Sequence, residues 1–141
     1  MKLQVFLSGQ KGYAQPIADA LAEMFVCKCD QIPPAYQCNK EKLVFLVYEK
    51  YGKLDKKFVS YLKGLDKNSM ENVSLIEISK TGAEGKDEIS QILSGNGIHI
   101  HSHMGIAKKS GLFKAILENE DIEKAKEFAM EQGKDLFQSL R

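Results

Sequence analysis

Short apolar runs of strand length recur along this sequence, and each is followed by a segment whose apolar residues come at helical spacing. Residues 43–47, Leu-Val-Phe-Leu-Val, have no polar interruption and suit a central strand that is covered on both faces. Such alternation is typical of βαβ units, in which helices cover a parallel sheet. Because 141 residues can bury one core, we expect a single α/β domain over residues 1–141.

The apolar runs predict five strands, at residues 3–7, 26–29, 43–47, 73–78 and 98–104. The second predicted strand is short, and Pro33 and Pro34 mark an irregular stretch soon after it.

Four helices are predicted from apolar residues that recur every three or four positions. Pro16 suits the first turn of the first helix, and Asn119 is predicted as the N-cap of the last, with Glu120 and Asp121 in its first turn. The apolar stripes are Ile17, Leu21, Met24 and Phe25; Leu54, Phe58, Tyr61, Leu62 and Leu65; Ile89, Ile92 and Leu93; and Ile122, Ala125, Phe128, Ala129, Leu136 and Leu140.

The charge balance limits the partners of this chain. Twenty Lys and Arg residues face 19 Asp and Glu residues, so the net charge of +1 gives no general nucleic-acid footprint. Arg141 is the only arginine, so an anion would be held by backbone amides, hydroxyls or lysine. The first apolar run is too short for a signal peptide or a membrane span, and we expect a cytoplasmic protein.

The three cysteines and three histidines are candidate metal ligands. Cys27, Cys29 and Cys38 are odd in number and lack the usual zinc spacing, which favours free structural thiols. His99, His101 and His103 alternate along the fifth strand and would share one face of a regular strand. Because polar side chains are ordinary on an edge strand, a structural role is favoured over a metal site.

Ligands of doubly wound sheets bind beyond the carboxyl ends of the strands, so the loops after the first, third and fourth strands are the candidate site. Residues 8–13 form a polar loop with two glycines that leads into a helix, and its amides suit a phosphate. It has neither a dinucleotide fingerprint nor a Walker A pattern. A plain βα turn is the alternative interpretation of this loop.

Read together, these loops resemble the flavodoxin family over nearly the whole chain. In that family a serine or threonine, any residue, and then Thr-Gly-Asn-Thr bind the FMN phosphate. Ser8 matches the first hydroxyl, while Gln10, Lys11, Gly12 and Tyr13 replace the remainder of the pattern. The resemblance implies a three-layer fold with strand order 2-1-3-4-5 and helices on both faces. It also implies bound FMN and electron transfer, in which a redox partner protein can take part.

The loops after the third and fourth strands of the family sandwich the flavin ring, often with an aromatic side chain. Tyr51, followed by Gly52, is the candidate stacking ring, and a surface role for this tyrosine is the alternative. The resemblance implies these cofactor-binding residues: Ser8, Gly9, Gln10, Lys11, Gly12, Tyr13, Tyr48, Glu49, Lys50, Tyr51, Gly52, Thr81 and Gly82. We expect no catalytic side chain, since the flavin would carry the chemistry.

Other functions on this architecture fit less well. A response-regulator receiver needs an acidic cluster after the first strand, where this chain has Ser8 and Gly9. A low-molecular-weight phosphatase needs an arginine six residues after a cysteine, and none is present. The alternative from another class is a flavodoxin-like domain that has lost its flavin and serves as an interaction module, because the phosphate loop departs from the family pattern.

Overall fold

Strands and helices alternate along the chain in this computed structural model, which describes residues 1–9, 11–34, 38–109 and 117–141. Within these residues the strands are β1 (Leu3–Ser8), β2 (Cys29–Gln31), β3 (Glu41–Lys50), β4 (Met70–Ser79) and β5 (His99–Ala107). The helices are α1 (Ala14–Phe25), α2 (Lys56–Lys63), α3 (Lys86–Gly95) and α4 (Asn119–Leu136), followed by a short 3-10 helix, Gln138–Leu140. All strand pairs are parallel, in the order β2-β1-β3-β4-β5. The predicted α/β class and strand order are therefore confirmed.

The sheet separates two apolar cores because side chains alternate between its faces. Phe45 and Val47 of β3 pack with α1 and α4 on one face. Val44 and Leu46 pack with α2 and α3 on the other. The uninterrupted apolar run of β3 thus serves both cores, as expected of a central parallel strand.

The second strand lies further along the chain than predicted. Val26, the predicted first residue of that strand, is instead the C-cap of α1, with φ 51° and ψ 53°. Its side chain is 91% exposed. A residue in the left-handed region ends a helix and does not begin a strand, so β2 begins only at Cys29.

Both ends of the last helix also differ from the prediction. Asn119 is the first helical residue rather than the N-cap, and Glu118 takes the N-cap position with extended backbone. The Glu118 amide donates a hydrogen bond of 2.9 Å to the carboxylate of Asp121. At the other end, Leu140 belongs to the 3-10 helix that follows α4, although it packs against the predicted core.

The three histidines of β5 do not share one face. Val73 of β4 pairs with Ile100, but the next residue, Ser74, pairs with Ser102. His101 is therefore an additional residue in β5, and the alternation of side chains between the faces is interrupted there. His103 pairs with Leu75, whose side chain belongs to the α2–α3 core. The ring of His101 lies 3.1 Å from Asp135 of α4, on the opposite face. The one-face prediction was wrong because it assumed a regular strand.

No helix in the described part of the chain is long and apolar enough to cross a bilayer.

Candidate functional site

The loops after β1, β3 and β4 meet at the carboxyl edge of the sheet. Ser8 pairs with Tyr48, and Lys50 pairs with Ser79, so the three strands end side by side. Gly9 follows Ser8 and Glu49 follows Tyr48, so this register places Gly9 and Glu49 next to each other. Hereafter, loop 1 is residues 9–13, loop 3 is residues 51–55 and loop 4 is residues 80–85.

The amides of loop 1 and the first turn of α1 converge on one carboxylate. Glu49 Oε2 accepts hydrogen bonds from the N–H groups of Tyr13 at 2.8 Å and Ala14 at 3.2 Å. Its Oε1 accepts one from the N–H of Lys11 at 3.1 Å. Successive amides that face one point form an anion-binding nest at a helix N-terminus. In this structure the anion belongs to the protein itself.

Two glycines shape this nest in different ways. A Cβ on Gly9 would overlap the carboxylate of Glu49, so the close approach of the anion depends on glycine at this position. Gly12 has φ +80° and nothing within 4 Å of the position that a Cβ would take, so its contribution is the left-handed turn that orients the following amides.

Tyr51 connects loop 3 to the segment after β5. Its hydroxyl donates a hydrogen bond of 2.8 Å to the carbonyl of Lys108. Its ring meets the ring of buried Tyr13 edge to face, with centroids 5.7 Å apart. Burial, together with the charges of Glu49 and Glu84 and the nearby Tyr13, raises the pKa of Tyr51 to about 12, so it stays a neutral hydrogen-bond donor.

A second carboxylate organises loop 4. Glu77 is fully buried at the end of β4 and accepts hydrogen bonds from the hydroxyls of Tyr48 and Ser79 and from the amides of Glu84 and Gly85. Burial alone would raise the pKa of Glu77, but these four donors outweigh it and lower the pKa. Glu77 therefore stays ionised and holds the start of α3.

Loop 4 also packs closely against β5. A Cβ on Gly105 would overlap the backbone carbonyl of Gly82, which has φ +85°. Thr81 is exposed, and its hydroxyl accepts a hydrogen bond from the Ala83 amide at 3.3 Å. The loop is thus fixed by Glu77 on one side and by β5 on the other.

The space between loops 1 and 3 is a cleft of about 40 Å³. Its lining residues are Ser8, Gly9, Lys11, Glu49, Tyr51, Lys53 and Asp55. Small-molecule sites usually enclose roughly 300–1,000 Å³. The donor set of loop 1 fits an anion such as a phosphate, while the cleft beside it does not hold a flavin ring without movement of side chains. A larger hollow, about 510 Å³, lies around Val26 and Lys28 near the amino ends of the strands.

The structure brings together only part of the predicted site. Ser8, Gly9, Lys11, Glu49 and Tyr51 line the cleft. Tyr48 is fully buried in the α2–α3 core, and the Lys50 ammonium donates to the Gly52 carbonyl at 2.8 Å. Gln10 lies outside the described residues.

Two features escaped the sequence analysis. Glu77 was read as part of an apolar strand, and the only signal in the sequence was a charged residue inside that run, a few positions before a glycine-containing loop. Glu49 was expected to line a ligand site, whereas here its carboxylate occupies the amides.

Of the candidate metal ligands, His99 and His101 are neighbours, with ring centroids 6.1 Å apart. Among the described residues, no group of three or more His, Cys, Asp or Glu side chains is arranged to hold a metal ion. All three cysteines are free thiols. Burial raises the pKa of Cys27 and Cys29 to about 11, so these side chains are neutral thiols at physiological pH.

Solved structures of flavodoxins share this architecture. Flavodoxin 2 of Bacillus cereus superposes with a TM-score of 0.67 at 16% identity, over 96% of this chain and 99% of that one. A flavodoxin of Streptococcus pneumonia gives 0.62 at 18% identity, over 94% and 97%. A short-chain flavodoxin associated with a non-canonical PDU bacterial microcompartment gives 0.66 at 14% identity, over 96% and 97%. No protein-family model and no curated protein matches the chain. The strand order and this near-complete superposition show that the chain has the flavodoxin-like fold.

Proposed function

We propose that this protein is a small redox protein that binds FMN at the carboxyl edge of the sheet. The observation that carries the proposal is the convergence of the Lys11, Tyr13 and Ala14 amides on one anionic group beyond β1. In the family that the sequence resembles, the corresponding loop binds the FMN phosphate. One of the superposed structures, flavodoxin 2 of Bacillus cereus, is described as oxidised, which supports a redox role.

The phosphate would be held by the three amides that now bind Glu49. The positive end of α1 adds to their field, and Ser8 closes β1 beside them. Lys11 is exposed on the same loop and contributes a positive charge. One phosphate site and no second nucleotide-binding fingerprint favour FMN over FAD.

The flavin ring would lie next to Tyr51, on loop 3. Its bond to the Lys108 carbonyl and its edge contact with Tyr13 fix the ring orientation, which limits the entropy lost on stacking. When bound, the flavin supplies the electron-accepting chemistry. The chain's own residues orient it and exclude water. Tyr48 and Glu77 support loop 4 from within the core.

The near-neutral net charge of +1 implies modest electrostatic steering toward a redox partner protein. Three free cysteines are compatible with the reducing cytoplasm, which is where we propose that the protein acts.

A second candidate function is an interaction module that has lost its flavin. Two observations favour it: Glu49 already satisfies the loop 1 amides, and the adjacent cleft measures only about 40 Å³. Such a domain would keep the fold while its carboxyl edge serves as a contact surface.

A visible absorption spectrum of the purified protein, before and after addition of FMN, separates the two functions. We expect a bound-flavin spectrum and quenching of FMN fluorescence at micromolar concentrations, with weaker binding of FAD. FAD is the matched control because it contains the same ring. Absence of quenching by FMN at these concentrations would contradict the redox proposal and favour the interaction module.

A further inference from the structure

Glu49 is bound to loop 1 in the way that an exogenous anion would be. One oxygen of its carboxylate accepts from two successive amides, of Tyr13 and Ala14, and the other accepts from Lys11. These are charge-assisted hydrogen bonds, about twice as strong as neutral ones. The carboxylate comes from β3, 35 to 38 residues away, so it is not part of a local turn.

The nest has room for one anionic group. The carboxylate of Glu49 lies over Gly9, at the position that a Cβ on Gly9 would fill. A phosphate that used the amides of Tyr13 and Ala14 would need this same position. The two anions also repel each other at contact distance, so they exclude each other by charge as well as by volume.

We propose that Glu49 is the specificity-determining residue of this site, an internal anion that competes with phosphate for the loop 1 amides. For flavins this inference rests on the function proposed above; for inorganic phosphate it does not. The wild-type protein then discriminates little between FMN and riboflavin, because the phosphate gains the amides only by displacing Glu49. Removing the carboxylate gives the phosphate its full set of donors.

The first experiment uses inorganic phosphate as the probe and needs no flavin. Backbone amide resonances of Lys11, Tyr13 and Ala14 are followed by NMR as phosphate is added to wild type, Glu49→Ala and Glu49→Gln. We expect saturable shifts at these amides in Glu49→Ala, and at least tenfold weaker binding in wild type. Glu49→Gln keeps the size of the side chain and removes its charge, so it should fall between them.

Two further variants locate the effect. Glu84→Gln removes a carboxylate from neighbouring loop 4 without touching the loop 1 amides, and it should behave like wild type. Adding Gly9→Ala to Glu49→Ala places a methyl group where the anion would lie, so phosphate binding should be lost again. Thermal unfolding provides a second readout, since phosphate should stabilise Glu49→Ala more than wild type.

The inference is overturned if phosphate binds wild type as tightly as Glu49→Ala, if it binds neither, or if Glu84→Gln gives the same gain. Titration with FMN and riboflavin then extends the test to the flavin. Glu49→Ala should increase the affinity ratio of FMN to riboflavin at least tenfold. Phosphate binding to the variant without any flavin binding would contradict the proposed function and leave the role of Glu49 at the amides intact.

Discussion

The hydroxyl of Tyr48 donates a 2.8 Å hydrogen bond to Oε1 of Glu77, and both side chains are fully buried. The bond joins β3 to β4 beneath loop 4, and the second oxygen of Glu77 accepts from Ser79 and from the Glu84 amide. A buried carboxylate with this many donors is stable only while it is ionised and every donor is in place.

Replacement of Glu77 by glutamine should destabilise the protein. A neutral side chain cannot accept from all four donors, and we expect a loss of about 2–4 kcal/mol in the free energy of unfolding at pH 7. The pKa of Glu77 is lowered in the folded protein, so its contribution is present above 4.5, the ordinary value, and is lost as pH falls through the folded pKa. Urea unfolding between pH 7 and about pH 3 should therefore show a shallower acid loss in Glu77→Gln. Glu84→Gln, at an exposed position of loop 4, is the control and should lose stability like wild type. An acid loss in Glu77→Gln as steep as that of wild type would contradict the assignment.

Replacement of Val26 by glycine should stabilise the protein. A β-branched residue at φ 51° is strained, and this side chain has little packing to lose because it is 91% exposed. We expect a gain of about 1 kcal/mol in urea unfolding. Val26→Ala keeps a Cβ and should gain much less stability. Equal gains from both variants would indicate that the valine side chain, and not the left-handed backbone, is the source of the destabilisation.

Replacement of Gly105 by alanine should loosen loop 4. The added methyl group would overlap the Gly82 carbonyl, so the backbone of loop 4 or of β5 must move. We expect this to lower the free energy of unfolding by about 1–3 kcal/mol. Gly95→Ala in α3 is the matched control, because nothing lies within 4 Å of its Cβ position and alanine favours helix. Thermal unfolding of both variants checks the prediction, which fails if Gly105→Ala unfolds at the wild-type temperature.

Tyr51 offers two substitutions that separate its hydroxyl from its ring. Tyr51→Phe loses the bond to the Lys108 carbonyl and should cost about 1 kcal/mol of stability, while it weakens flavin binding less than Tyr51→Ala because the ring and its contact with Tyr13 remain. Tyr51→Ala should also weaken FMN binding by about 1 kcal/mol and raise the potential for full reduction of the flavin. A redox titration of both variants is the measurement. An unchanged potential with intact binding in Tyr51→Ala would remove this ring from the site.

The fold was predictable because its strands and helices are marked by patterns of apolar residues that lie close together in the sequence. Buried parallel strands such as β3 are continuous apolar runs, and helices such as α1 repeat their apolar positions, so both can be read within a few residues. The errors arose where one residue departs from the regular pattern. Val26 is as apolar as a strand residue but caps a helix, and the register shift opposite His101 leaves no mark in composition.

The site was less predictable because its contacts are not local. Loop 1 was expected to bind an anion, and its amides do converge on one. The identity of that anion depends on the pairing of Ser8 with Tyr48, which places Glu49 beside Gly9. No pattern within either loop contains this relationship.

The contact between Glu49 and loop 1 also has a consequence for the order in which the chain folds. Its two partners are separated by 35 to 38 residues, and the pairing of Ser8 with Tyr48 places them side by side, so we expect the contact to form after β1 and β3 have paired. We therefore expect a low φ-value for Glu49, which means that its contact with loop 1 forms after the transition state. Glu49→Ala should therefore accelerate unfolding and leave the refolding rate nearly unchanged. Loop 1 would be among the last segments to reach its native shape during folding and among the first to leave it.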